Sequence, residues 1–203
     1  MGVRIVKLDY EFFQRDAVSV AKDLIGKLLV RNLNGEELIC RIVDTEAYCG
    51  PEDKGCHAYQ NKRTNRTEVM YKSGGYVYVY LIYGLHYCFN VVVSKQDRPE
   101  AVFIRAGEPI SGLKTMRDNR NIKSNKKTEL TNGPGKLSQA MAIDKSLNGQ
   151  DLVASKEIYL RHACDSQSYQ IIPAKRVNID YAEEYTDKLW RFYIRDNPFV
   201  SIN

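Results

Sequence analysis

Tyr76-Val77-Tyr78-Val79-Tyr80-Leu81-Ile82 and Tyr87-Cys88-Phe89-Asn90-Val91-Val92-Val93, joined by Tyr83-Gly84-Leu85-His86, are the residues whose reading decides the fold. The first run alternates with period 2, so the rings at 76, 78 and 80 share one face of a strand and the aliphatic side chains share the other. Gly84 takes a positive φ at no steric cost, and the residues around it suit a tight turn between antiparallel strands. The two runs therefore read as a protruding β-hairpin with Tyr83 at or near its tip. Strand propensity and core packing are reason enough for Tyr76 and Tyr78. Tyr83 is different, because a turn holds its ring away from any core.

Outward from the hairpin, residues 15–26 read as a helix, with Asp16 near its start, Val20, Ala21, Leu24 and Ile25 as its apolar stripe and Gly26 as its stop. Leu38-Ile39-Cys40-Arg41-Ile42-Val43 is strand-like and delivers Asp44-Thr45-Glu46-Ala47-Tyr48 to its end, a place where chemistry often sits. Gly50-Pro51-Glu52-Asp53 is a turn, Val102-Phe103-Ile104-Arg105 is a further short strand, and residues 135–143 form a helix entered from Asn132-Gly133-Pro134. Later strands are expected over residues 157–161, 174–179 and 190–194. Strands outnumber helices and do not alternate regularly with them. The predicted fold is α+β: a single compact domain over residues 1–203, with a curled, largely antiparallel β-sheet, flanking helices and the protruding hairpin.

A chain of 203 residues, 43% hydrophobic and 27% charged, is long enough to bury its own core. No apolar run approaches the roughly 18–20 residues a membrane span needs, so no membrane partner is expected. Met1-Gly2-Val3-Arg4-Ile5-Val6-Lys7 holds no apolar signal core, and the five cysteines form no C-x-x-C pair. An odd cysteine count suits a reducing compartment, and the expectation is a cytoplasmic protein, nucleoid-associated if bacterial. Cys49, Cys56 and His57 lack a second ligand pair at zinc spacing, so neither a metal site nor a cofactor is expected.

The net charge of +5 is unevenly spread: residues 54–136 hold 15 Lys and Arg against 6 Asp and Glu. A basic stretch of this kind fits a polyanionic partner. Lys62, Arg63 and Arg66 lie there in a polar loop, and Lys114, Arg117, Arg120, Lys123, Lys126 and Lys127 follow a short helix-like segment. Tyrosine is concentrated in the same half, with six of fourteen in residues 71–87. A ring on the Gly84 turn has the size and placement to push between stacked bases. Gly133-Pro134-Gly135-Lys136 lacks the phosphate-loop spacing and reads instead as a helix start at which Lys136 can meet one phosphate. Glu46, set among aliphatic and aromatic residues, is a candidate general base, and His57 a candidate hydrogen-bond donor or stacking ring. No Ser-His-Asp arrangement and no G-x-S-x-G or G-x-G-x-x-G motif occurs.

Two blocks, Asp44-Thr45-Glu46-Ala47-Tyr48-Cys49-Gly50-Pro51-Glu52-Asp53 with His57, and Tyr78-Val79-Tyr80-Leu81-Ile82-Tyr83-Gly84-Leu85-His86-Tyr87-Cys88-Phe89-Asn90, resemble the alkyladenine (3-methyladenine) DNA glycosylases. The resemblance continues through Ile104-Arg105-Ala106-Gly107-Glu108-Pro109, Gly133-Pro134-Gly135-Lys136-Leu137 and Arg191-Phe192-Tyr193-Ile194-Arg195, and spans nearly the whole chain in order.

It implies a monofunctional enzyme that flips alkylated purines out of duplex DNA and hydrolyses the N-glycosidic bond. The substrates implied are 3-methyladenine and 7-methylguanine, with hypoxanthine and ethenoadenine as further candidates, and an abasic site is left for base excision repair. It also implies roles. Glu46 is the general base that activates water, and Arg105 helps hold that water and the flipped nucleotide. Tyr48, His57 and Tyr80 form the base pocket, Asn90 its floor, and the backbone carbonyl near Val177 is a further water ligand. Tyr83 enters the minor groove, and Lys136, Arg63 and Arg66 contact the DNA backbone. The expected partner is double-stranded DNA containing damaged purines, and the protein is expected to act as a monomer. The alternatives are a non-catalytic module that binds damaged or single-stranded sites and a nucleosidase acting on small molecules.

Overall fold

The computed structural model describes residues 6–164 and 167–201. Its centre is a strand of thirteen residues, β2 (Glu36–Tyr48), which is paired along both edges. On one edge β2 runs antiparallel to β5 (Glu100–Ser111) over most of its length. The other edge is shared: β1 (Leu28–Leu33) pairs with residues 36–41, and β8 (Arg191–Ile194) pairs with residues 44–46. A strand that changes neighbour midway splits its sheet, which gives the curl expected from the sequence. β3 (Val77–Ile82) and β4 (His86–Val93) extend the sheet beyond β5, β6 (Ile158–Arg161) extends it beyond β1, and β7 (Ile171–Ala174) pairs with β8. Every strand pair is antiparallel.

Period 2 then sorts the side chains. On β3, Val77 and Val79 enter the main core, where Phe89 and Val91 of β4 meet them. Helix α1 (Tyr10–Phe13) precedes α2 (Ala17–Leu24), which lays Val20, Ala21 and Leu24 into the same core. Asp16 caps α2 by accepting from the Ser19 N–H, so the helix begins at Ala17, and it ends at Leu24, before Gly26 (φ +83°). The opposite face carries a smaller cluster in which Tyr78 is buried among Cys56, Ala58, Met70 and Val92, with Tyr48, Tyr76 and Tyr80 at its margin. Residues 50–71, built from three short 3₁₀ turns, contribute Cys56, Ala58, Val69 and Met70 to this face.

Three further helices, α3 (Leu113–Arg120), α4 (Thr128–Thr131) and α5 (Pro134–Ala140), pack together beside β4 and β5. Lys114, Arg117 and Arg120 belong to α3 itself. Tyr83 and Gly84, with φ of +53° and +68°, make the hairpin turn. The strand expected over residues 174–179 is a correction: β7 lies at Ile171–Ala174, and the chain leaves the sheet after it. The reason is local. Arg176 turns inward to Asp53, the Val177 N–H is taken by Glu46, and Asn178 adopts φ +57°, so this backbone is spent on the site instead of the ladder. Among the described residues, no helix is long and apolar enough to cross a membrane.

Candidate active site

Alternation along the end of β2 places Asp44, Glu46 and Tyr48 on one side, opposite Thr45 and Ala47. Asp44 pairs with Ala106 and Thr45 with Ile104, so Arg105 is an extra residue in β5, a bulge. Bulges re-aim side chains next to functional sites. Here the guanidinium reaches both acids, 3.2 Å from Glu46 Oε1 and 3.6 Å from Asp44 Oδ2.

Glu46 is fully buried, and two hydrogen-bond donors and one cation surround its carboxylate. The Val177 N–H donates to Oε1 at 2.8 Å, the Arg105 guanidinium stands beside the same oxygen, and the Tyr48 hydroxyl donates to Oε2 at 3.0 Å. Burial pushes the Glu46 pKa up, against the opposing pull of Arg105 and the Val177 N–H. The Tyr48 phenol is held well above its ordinary value by burial and the neighbouring carboxylate, and so remains a donor. A carboxylate has about four acceptor positions. Two are filled by these hydrogen bonds and Arg105 adds an ion pair at Oε1, so acceptor capacity remains for a further donor such as water.

Asp44 anchors this arrangement from below. Arg191 donates to both its oxygens at 2.9 Å, and the Ser201 hydroxyl donates to Oδ2 at 2.5 Å. A second buried pair lies behind Tyr48: Arg176 grips Asp53 bidentately at 2.6 and 2.8 Å, donates to the Ala47 carbonyl and stands 4.7 Å from the Tyr48 ring centroid.

Tyr48, His57 and Tyr80 line a slot together with Tyr78, Met70 and Asn90. The slot opens into a cleft of about 510 Å³ bordered by Arg105, Val177, Tyr181, Tyr83 and the Gly133-Pro134-Gly135 turn. His57 lies edge-on to Tyr80, with centroids 4.6 Å apart. Burial, with Arg66 and Lys62 nearby, lowers the His57 pKa to about 4, so the imidazole is neutral near pH 7. One ring nitrogen, Nδ1, lies 2.8 Å from the Tyr78 hydroxyl, and Nε2 lies 3.3 Å from Arg66. Asn90 is buried, and its amide nitrogen donates to the Tyr78 and Cys88 carbonyls at 3.1 and 3.3 Å.

Tyr48, His57 and Tyr80 line both the slot and the cleft, Asn90 lines the slot, and Arg105 and Val177 line the cleft; Glu46, fully buried, lines neither and meets them through its contacts with Tyr48, Arg105 and Val177. Val177 meets Glu46 through its N–H, where the resemblance implied a role for the backbone carbonyl. Tyr83 projects from the hairpin at 80% exposure and reaches the rim of the cleft. Lys136 donates to Asn132 at 2.9 Å. Arg63 is held by Glu68 and Asp97 and stacks 4.5 Å from the Tyr71 ring centroid. Arg66 points into the cleft mouth. Asp44, Asp53, Arg176, Arg191 and Ser201 escaped the sequence reading. Asp44 could have been found, since it sits two residues before Glu46 and so on the same strand face. Among the described residues, no group of three His, Cys, Asp or Glu side chains is placed to hold a metal ion.

This arrangement of carboxylate, aromatic slot and exposed ring occurs in a chain whose residues 11–198 match the family model described as methylpurine-DNA glycosylase. A protein of Desulfitobacterium hafniense (strain Y51), named "Putative 3-methyladenine DNA glycosylase", is 50% identical over 97% of this chain and 98% of its own length. Proteins of the same name from Borrelia garinii subsp. bavariensis and Clostridium perfringens (strain SM101) are 49% and 46% identical, over 96% and 97% of this chain and 99% of their own lengths. The chain belongs to the methylpurine-DNA glycosylase family, a family of DNA glycosylases.

Proposed function

We propose that this protein excises alkylated purines from duplex DNA by hydrolysing the N-glycosidic bond with a water activated by Glu46, leaving an abasic site. The observation that carries the reading is the buried Glu46 carboxylate, held by two hydrogen bonds and the Arg105 ion pair with acceptor capacity to spare, and joined through Tyr48 to a slot walled by Tyr48, His57 and Tyr80.

A base inside a stacked duplex cannot enter a closed slot, so the nucleotide must swing outward, and a damaged base costs less to extrude. Tyr83, exposed on the hairpin turn, fills the gap left behind. Purines alkylated at N3 or N7 carry positive charge, which an electron-rich ring attracts by about 0.5–2 kcal/mol; Arg176 already stands against Tyr48 and Arg66 against Tyr80, so the attraction falls to the ring faces these cations leave open. A cationic base is also a good leaving group. As the bond from C1′ to the base nitrogen breaks, its electron pair goes to the base and positive charge develops on the sugar. Glu46 takes a proton from water while the water oxygen bonds C1′, and Arg105 and the Val177 N–H hold the carboxylate in place throughout. Neutral lesions such as hypoxanthine lack the charge that speeds departure and react more slowly. The protein acts as a monomer on double-stranded DNA.

Incubation with methylated duplex DNA tests the reading. The wild type should release free methylpurine and leave an intact strand bearing abasic sites. Tight binding without release would identify a non-catalytic binding module, and cleavage of free nucleosides with duplex ignored would identify a nucleosidase.

A further inference from the structure

Arg63 and Arg66 lie on the same loop but are treated very differently by the fold. Arg63 is neutralised by Glu68 and Asp97. Among the described residues no carboxylate pairs with Arg66; its guanidinium stands 4.8 Å from the Tyr80 ring centroid and 3.3 Å from His57 Nε2. A planar cation therefore already rests on the aromatic ring and hydrogen-bonds the imidazole that wall the base slot, at the cleft mouth. His57, Tyr78, Tyr80 and Cys88 all respond to its charge.

We infer that Arg66 is a specificity-determining residue, whose guanidinium at the mouth of the slot weighs against cationic bases and in favour of neutral ones. The inference rests on the base-excising function proposed above. A neutral purine entering the slot can leave Arg66 at the rim, where its N–H groups face the acceptors of the base. A cationic purine meets a like charge a few ångströms away in a half-dry site, and must also displace the existing cation from Tyr80. A cation and a neutral lesion of similar shape are thereby separated by the charge at position 66.

The test is an equilibrium measurement on duplexes that carry 7-methylguanine or hypoxanthine on a 2′-fluoroarabinose, whose fluorine disfavours positive charge on the sugar and so suppresses cleavage. Dissociation constants are measured for the wild type, Arg66→Ala, Arg66→Gln, Arg66→Lys and Lys62→Ala. Arg66→Ala and Arg66→Gln should each shift the affinity ratio towards 7-methylguanine by roughly 3- to 30-fold, the size of one partly desolvated cation–ring contact. Arg66→Lys, which keeps the charge, should stay within about threefold of wild type, and Lys62→Ala within about twofold, because Lys62 is near His57 without the ring contact. Any phosphate contact made by Arg66 weakens both duplexes alike and cancels in the ratio. An unchanged ratio in the Ala and Gln variants, a shift towards hypoxanthine, or a Lys variant that shifts as far as Ala would overturn the inference. Absence of base release from ordinary methylated DNA would instead overturn the proposed reaction, and is read separately.

Discussion

Replacing Asp53 with alanine should unfold this protein far more readily, and should damage the site before it does so. Asp53 and the Arg176 side chain are completely buried, and their two contacts of 2.6 and 2.8 Å form a bidentate pair. Asp53 also accepts from the Cys49 and Gly55 N–H groups at 3.1 and 2.9 Å. Removing the carboxylate leaves a guanidinium and two backbone donors in a dry interior. Breaking one side of a buried pair costs about 3–5 kcal/mol, against a total stability of about 5–15 kcal/mol for a domain. At roughly 2–4 °C per kcal/mol for this chain length, Tm should fall by about 6–20 °C. The functional loss has its own cause: Arg176 backs the Tyr48 ring, bonds the Ala47 carbonyl and adjoins Val177, whose N–H holds Glu46. Differential scanning fluorimetry with a urea titration measures the first effect. Base release, measured 15 °C below the variant's Tm so that the folded fraction is complete, measures the second. A Tm change under about 2 °C would refute the claim that this pair is a structural clasp.

Three further outcomes follow from the same geometry. Because burial raises the Glu46 pKa, the folded state holds this proton more tightly than the unfolded state, so the contribution of position 46 to stability falls as pH rises above the ordinary carboxylate range. The Tm of Glu46→Gln relative to wild type should therefore be more favourable at pH 7.5 than at pH 4.5; a difference that runs the other way would contradict this. His57 is displaced the other way, to about 4 from 6.5, so its contribution is complete above pH 6.5 and is lost as pH falls towards 4. NMR should show a neutral His57 ring at pH 5, and a midpoint near 6.5 would refute the assigned burial. Tyr83→Ala removes an 80% exposed ring that supports no core, so Tm should stay within about 2 °C while affinity for lesion-bearing duplex falls about tenfold; unchanged affinity would remove the wedge assignment.

Much of the fold was legible because it rests on short-range patterns. Period 2 in residues 76–82 and one glycine at 84 specified the hairpin and the exposure of Tyr83, and the apolar run before Asp44 specified the strand that delivers Glu46. What escaped was set by partners distant in sequence. Asp53 and Arg176 lie 123 residues apart, and nothing local to either residue marks a bidentate pair. The strand expected over 174–179 failed for a related reason, since β propensity there is overridden by the demands of Asp53 and Glu46 on residues 176 and 177. Arg105 could be read as a residue at a strand end, but the bulge that turns it to both acids depends on its register against Asp44 and Thr45.

The most direct test of the central claim is the single-turnover rate of 7-methylguanine release from duplex DNA by wild type and Glu46→Gln, with binding measured alongside. A positioned general base is worth about 10²–10⁴ in rate. A loss of that size is expected in the variant, with affinity for the lesion duplex retained. Equal rates in the two proteins would contradict it.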